Sequence, residues 1–113
     1  MVKKYIPEKG DIVLLDFNPQ SGKEQAGKRP AVVISPKAYN AKVGLAIFCP
    51  ITSKIKDYPF EVVLPKNLKT KGVILADHLK NLDWQARNSV FLEKLPIDCL
   101  QEILNKLVVL IFE

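Results

Sequence analysis

The chain has 113 residues, of which 48% are hydrophobic and 26% charged, a composition that suits one globular domain with a modest core and excludes an extended disordered chain. Its 17 Lys and Arg outweigh 12 Asp and Glu, giving a formal charge of +5 and a pI near 9.3; a polyanion such as nucleic acid is therefore the first partner to consider, although charge alone does not select it. Cys49 and Cys99 form no C-x-x-C unit, so neither a thiol redox motif nor a thiolate metal site is expected and a reducing cytosol is the default compartment.

In chain order, Asp11–Asp16 and residues 31–35 are β-branched-rich runs that read as strands, separated by a polar loop over residues 17–30 that holds Pro19, Gly22 and Gly27. Residues 44–52 and 60–64 read as two more strands, bracketing a second basic and polar loop over residues 53–59, with Pro50 marking an edge or a bulge. Residues 72–76 and 89–92 complete five or six short strands, so the expected class is mainly β with helices (α+β), a small β-barrel closed by a C-terminal helix.

That helix is expected from Pro96 onward. There Ile97, Leu100, Leu104, Leu107, Val108 and Ile111 recur at spacings of three and four as one buried stripe. Pro96 suits the first helical position, and Asp98 and Glu102 put negative charge toward the positive end of the helix dipole. Val108, Val109, Leu110 and Phe112 together exceed a single face, which fits either a wide buried face or a subunit interface. No linker or repeat divides the chain, so residues 1–113 are read as one domain. The N-terminus lacks the apolar core of a signal peptide and the run over residues 107–112 is too short to span a bilayer, so a cytoplasmic protein without a membrane partner is expected.

Several chemistries find no support in these residues. His78 is the sole histidine, so a pair of imidazoles cannot form within one subunit. No H-E-x-x-H, Cys/His set or dense carboxylate cluster suggests a metal, and no cofactor is implied. No G-x-S-x-G elbow marks a serine nucleophile. What remains is the loop over residues 21–30, Ser-Gly-Lys-Glu-Gln-Ala-Gly-Lys-Arg-Pro, in which Glu24, Gln25, Lys28 and Arg29 stand among glycines that let backbone approach a ligand. It reads equally as a phosphate-binding loop or as a solvated connection whose Pro30 starts a strand.

The sequence carries a longer pattern. Tyr5-Ile-Pro7, Gly10-Asp11, Asp16-Phe17 and Pro19 are followed by Gly22, Glu24-Gln25-Ala26-Gly27 and Arg29-Pro30-Ala31-Val32-Val33. Ser35-Pro36, Tyr39-Asn40, Pro50, Thr52, Tyr58-Pro59-Phe60-Glu61-Val62, Ala76-Asp77 and Lys80 continue it. Over nearly its whole length the chain resembles the MazF/PemK toxins. The resemblance implies an SH3-like β-barrel with appended helices and a homodimer. It also implies metal-independent cleavage of single-stranded RNA at a short recognition sequence, and a cognate antitoxin whose acidic segment covers the basic surface.

By the same resemblance Glu24, Arg29 and Thr52 form the catalytic set. The nucleophile is then the substrate's own ribose 2′-hydroxyl, which attacks the adjacent phosphorus and leaves a 2′,3′-cyclic phosphate and a 5′-hydroxyl, so DNA is not a substrate and direct DNA binding is not expected. Arg29 suits the negative charge that gathers on the phosphate oxygens, Thr52 can hydrogen-bond the phosphate, and Glu24 either accepts the 2′-hydroxyl proton or orients Arg29.

RNA contacts are expected from Phe17 as a stacking surface, from Gln25 and Lys28 in the first loop, and from Ser53, Lys54, Lys56 and Tyr58 in the second. Lys80, Arg87, Asp77 and His78 lie beyond them; where the family more often has glutamine after the Asp, this chain has His78. Each of these has a plainer structural reading: Phe17 as core, Tyr58 as a turn residue, the lysines as solvated surface. The same barrel is shared with CcdB-like toxins, which poison DNA gyrase and cleave nothing, and a silent RNA-binding barrel would carry the same charge.

Overall fold

The computed structural model describes residues 4–17 and 27–113. Their elements are β1 (Asp11–Asp16), β2 (Lys28–Val33), α1 (Lys37–Val43), β3 (Leu45–Thr52), β4 (Glu61–Val63), β5 (Val73–Leu75), β6 (Lys80–Asp83), β7 (Val90–Lys94) and α2 (Ile97–Phe112). All the strands pair antiparallel, in the order β4-β5-β3-β2-β1-β7, with β6 lying against β3 as well. The α+β class expected from the sequence holds, with seven strands among the described residues instead of five or six.

Strand β3 is the hub. One edge pairs with β2, and the other pairs first with β6 through Leu45 to Phe48 and then with β5 through Ile51 and Thr52. Pro50 falls between those two partners, where a residue without an N–H leaves no ladder bond unmade. It therefore marks neither an edge strand nor a simple bulge; it is the point at which a central strand changes neighbour. Strand β2 begins at Lys28, ahead of the expected residue 31, because Lys28, Arg29 and Pro30 pair with Asp16, Leu15 and Leu14 of β1.

Alternation along these strands sends side chains to two apolar clusters, one on each face of the sheet. Ile12, Val32, Cys49, Ile51, Val62 and Ile74 face α2 and meet Leu100, Ile103 and Leu107. Val13, Leu15, Ala31, Val33, Ala46 and Phe48 face the other way, onto Trp84, with Tyr5, Ile6, Phe17 and Leu82 packed around them. Each aliphatic side chain that α2 buries contributes about 1.5–3 kcal/mol.

The buried stripe of α2 is Cys99, Leu100, Ile103 and Leu107, with Leu104 partly covered. Ile97, Val108 and Ile111, expected in that stripe, are exposed, as are Val109, Leu110 and Phe112. Among the described residues the sheet offers no cover past Leu107, and the last turn and a half of the helix is apolar and exposed. Pro96 caps the helix from outside in an extended conformation, one residue earlier than its expected place inside the first turn.

Two polar networks lock the strands near the N-terminal segment. Asn40 of α1, fully buried, donates to the Pro7 and Ser35 carbonyls at 2.8 and 3.1 Å, accepts from the Ser35 hydroxyl at 2.6 Å, and offers its own carbonyl to the Trp84 indole at 3.0 Å. Asp11, also buried, accepts from the Tyr5 hydroxyl and the Glu8 N–H and pairs with Lys94 at 2.6 Å. Every donor and acceptor so engaged avoids the cost of a buried polar group without a partner.

Candidate functional site

The strand alternation that builds the second cluster continues past its end. Phe17 follows Val13 and Leu15 in step, and Arg29 precedes Ala31 and Val33 in step. Thr52 follows Ala46 and Phe48, and Lys80 precedes Leu82. All four residues therefore share one face of the sheet and lie just beyond the apolar cluster. The β2–β3 register pairs Ala31 with Pro50; carried two residues further it sets Arg29 across from Thr52. Both are half-buried, so each is fixed by its strand and still reachable.

Phe17 and Lys80 meet each other on that same face. The Phe17 ring is half-buried against the cluster, and the Lys80 ammonium stands 6.0 Å from its centroid, within the range of a cation–π contact. The Phe17 N–H donates to the Gly27 carbonyl at 3.2 Å, which draws together the two ends of the first loop. Glu24 and Gln25, the loop residues expected to act in catalysis and RNA contact, lie outside the described residues. Lys28, one step out of phase with Arg29, is exposed on the opposite face.

The second loop leaves β3 at Thr52. The Lys54 N–H donates to Thr52 Oγ1 at 3.1 Å, which turns the chain immediately after the strand. Ser53, Lys54 and Lys56 are exposed. Lys106 of α2 donates to the Pro59 carbonyl at 2.5 Å and so holds the far end of the loop. The Tyr58 hydroxyl donates to Asp77 Oδ1 at 2.6 Å; desolvation and this carboxylate push the Tyr58 phenol up to about 12, so it remains a donor throughout the neutral range. His78 Nε2 lies 3.8 Å from the same Asp77 oxygen and is exposed.

Arg87 reaches the end of β1, at the residue before Phe17. Its guanidinium donates to the Asp16 carbonyl at 3.2 Å, and its own carbonyl accepts the Asp16 N–H at 3.0 Å, so it secures the end of β1. Cys49 is buried with its thiol on the Ala76 carbonyl at 3.8 Å; burial first, and the Asp77 charge second, push it up to about 12, which leaves it a poor thiolate nucleophile. Among the described residues no three His, Cys, Asp or Glu side chains gather as a metal site would require. The arrangement offers a guanidinium, a hydroxyl and several ammonium groups around one surface, together with an aromatic ring, and these are the means to hold a phosphodiester and a base.

Residues 8–111 match the model of the PemK-like, MazF-like toxins of type II toxin-antitoxin systems. The chain belongs to this toxin family. It is 46% identical over 111 residues to the endoribonuclease toxin MazF of Escherichia coli K12, a match that covers 98% of this chain and 99% of that protein. Among solved structures, the MazE-MazF complex (Form-II) from Deinococcus radiodurans has a TM-score of 0.90 at 50% identity, covering 96% of this chain and 98% of the other. MazF (Form-I) from the same organism has a TM-score of 0.89 at 49% identity, covering 97% and 100%.

Three features of the site of this family member had no functional reading in the sequence. Glu61 accepts the N–H groups of both Lys56 and Asp57, each at 2.9 Å. Gly72 packs against the Thr52 carbonyl with φ at +118°. Strand β6, which carries Lys80 to the site, pairs with β3 although its sequence, Lys-Asn-Leu-Asp, has little β propensity. The one available signal was the Tyr58-Pro59-Phe60-Glu61-Val62 run, which entered only through the family pattern.

Proposed function

We propose that the protein is a toxin endoribonuclease that cuts single-stranded RNA without a metal ion, at a short recognition sequence. The observation that carries this reading is the shared face of Arg29 and Thr52, on which Phe17 and Lys80 also meet, in a chain that matches an endoribonuclease toxin over nearly its full length. DNA lacks the 2′-hydroxyl that the reaction consumes and is not cut.

The substrate supplies the nucleophile. The ribose 2′-oxygen forms a bond to the adjacent phosphorus as the bond to the 5′-oxygen breaks, giving a 2′,3′-cyclic phosphate and a 5′-hydroxyl. One proton leaves the 2′-hydroxyl and one reaches the departing 5′-oxygen. Negative charge builds on the non-bridging oxygens, where the Arg29 guanidinium can fork across two of them and Thr52 can donate a further hydrogen bond. Arg29 acts by electrostatics, since a guanidinium gives up its proton reluctantly near neutrality. Glu24 serves as base for the 2′-hydroxyl or as the carboxylate that orients Arg29. Stacking on Phe17 and contacts from Lys54, Lys56, Lys80 and the Asp77–His78 turn hold the bases and backbone on either side.

The formal charge of +5 suits a cognate antitoxin with an acidic segment lying over the same surface. The open apolar end of α2, from Val108 to Phe112, suits burial against a second copy in a homodimer. The cytoplasm, where both mRNA and a reducing environment are found, is the compartment of action; no helix among the described residues is long and apolar enough to cross a membrane.

Incubation with RNA and with DNA of the same sequence, in EDTA, followed by analysis of the product ends, tests the proposal. Sequence-selective cutting of RNA alone, with cyclic phosphate ends, is the expected result. Intact RNA would exclude the nuclease, and inhibition of gyrase under those conditions would assign the fold to a gyrase poison instead.

A further inference from the structure

Glu61, the first residue of β4, places both carboxylate oxygens on the loop before it: Oε2 accepts the Lys56 N–H and Oε1 accepts the Asp57 N–H, each at 2.9 Å. Asp57 has φ at +59°, in the left-handed region that a non-glycine residue adopts only when its surroundings hold it there. Successive N–H groups converging at such a residue form the concave nest in which loops commonly bind phosphate. Here the chain's own carboxylate fills the nest.

Two consequences follow from this arrangement. The backbone of residues 53–59 is fixed from within, by two charge-assisted hydrogen bonds at 56 and 57, between the Thr52–Lys54 contact at one end and the Lys106–Pro59 contact at the other. The nest is also closed to a phosphate, so RNA meets the loop through its side chains, the exposed Lys54 and Lys56 and the Tyr58 ring held by Asp77. A loop with one backbone form presents one arrangement of those groups, and a loop with many forms accepts many sequences.

We propose that Glu61 is a positioning residue for RNA recognition: by occupying the nest at Lys56 and Asp57 it holds the second loop in the form that discriminates between RNA sequences. This rests on the endoribonuclease reading. Glu61 touches no reacting atom, so its removal acts on binding and sequence choice more than on the chemical step.

The test compares wild type, Glu61→Gln and Glu61→Ala on a long RNA whose cut sites are mapped, with kcat and KM measured on one short substrate. Glu61→Ala is expected to raise KM about tenfold, with kcat changed by less than about threefold, and to add cut sites that wild type ignores. Glu61→Gln retains one good acceptor and should lie between the two. An unchanged site map and KM in folded Glu61→Ala would overturn the proposal, as would a loss confined to kcat. Amide exchange in wild type supplies a readout independent of any variant: Lys56 and Asp57 lie in an exposed loop, so slow exchange of their N–H groups supports the clasp and fast exchange overturns it. Failure of wild type to cut RNA at all would instead overturn the reading on which this one rests.

Discussion

A Cβ placed on Gly72 would stand 2.2 Å from the carbonyl oxygen of Thr52, and 2.9 Å from its carbonyl carbon. The segment entering β5 thus lies directly against the backbone of the residue that closes β3, and Thr52 pairs with Val73 in the adjoining register. Gly72 also has φ at +118°, a conformation that other residues rarely adopt. Thr52 is held at its strand end by a neighbour that has no room for a side chain.

Gly72→Ala is therefore expected to damage the site and the fold together. The contact is with backbone, which cannot swing aside, so the strain costs about 2 kcal/mol or more, equivalent to roughly 10 °C in Tm for a domain of this size. Thermal melting and the RNA cleavage rate measured on the same preparation check this. A variant that melts and cuts like wild type would show that the close approach does not constrain Thr52.

Thr52 itself separates shape from chemistry. Thr52→Val keeps the β-branched form that suits the strand and removes the hydroxyl, which also accepts the Lys54 N–H. Thr52→Ser keeps the hydroxyl. The expected order of cleavage rate is wild type, then Ser, then Val, with Val lower than wild type by about tenfold or more, as for loss of a hydrogen bond made to a transition state. Equal rates for Ser and Val would remove the hydroxyl from the mechanism.

At Arg29, loss of the guanidinium is expected to lower kcat by about a hundredfold or more. Arg29→Lys should recover only a small part, because an ammonium group cannot fork across two phosphate oxygens. Single-turnover rates at saturating enzyme isolate this step from binding. Full activity in Arg29→Lys would show that charge suffices and that the fork has no part.

Stability should fall in alkali through the Tyr5–Asp11–Lys94 network. The hydrogen bond to Asp11, more than any other influence, holds the Lys94 ammonium above its ordinary range, and burial followed by the Asp11 hydrogen bond raises the Tyr5 phenol strongly. Both groups keep their protons more firmly in the folded chain than in the unfolded one. Their contributions are therefore complete below the ordinary Tyr and Lys values, about 10 and above, and are lost as pH rises beyond them. Melting temperature followed from pH 7 upward should drop past about pH 10. The drop should be shallower in Tyr5→Phe, and an identical profile in that variant would contradict this origin.

Much of the fold was legible where burial dictates sequence. Runs such as Ile12-Val13-Leu14-Leu15 and Ile74-Leu75 sit in strands covered on both faces, and composition alone announces them. Helix α1 is hard to see in the sequence because seven residues carry little periodicity; its marks are Pro36 before it and Gly44, with φ at +83°, after it. Strand β6 has no mark in the sequence because its pairing with β3, and not its own residues, makes it a strand. In α2 the period was right and the stripe only partly so, since Val108 and Ile111 continue the spacing beyond the sheet that would cover them.

Of the candidate site, Arg29 and Thr52 were named through the family pattern, while their common face follows from strand register, which local sequence does not report. Glu61 and Gly72 carry no local signal for a similar reason. A carboxylate at a strand start and a glycine before a strand are common, and only the partners they meet across the fold give them a role.

On this surface the RNA supplies its own nucleophile, and a single altered sugar decides whether it does. A recognised RNA is prepared with a single 2′-deoxynucleotide on the 5′ side of the scissile phosphate and compared with the all-ribose form for both binding and cleavage. The substituted RNA is expected to bind with nearly unchanged affinity and remain whole, while the all-ribose RNA yields a 2′,3′-cyclic phosphate. Cleavage of the substituted RNA at the same bond would contradict it, because the nucleophile would then have come from water or from the protein.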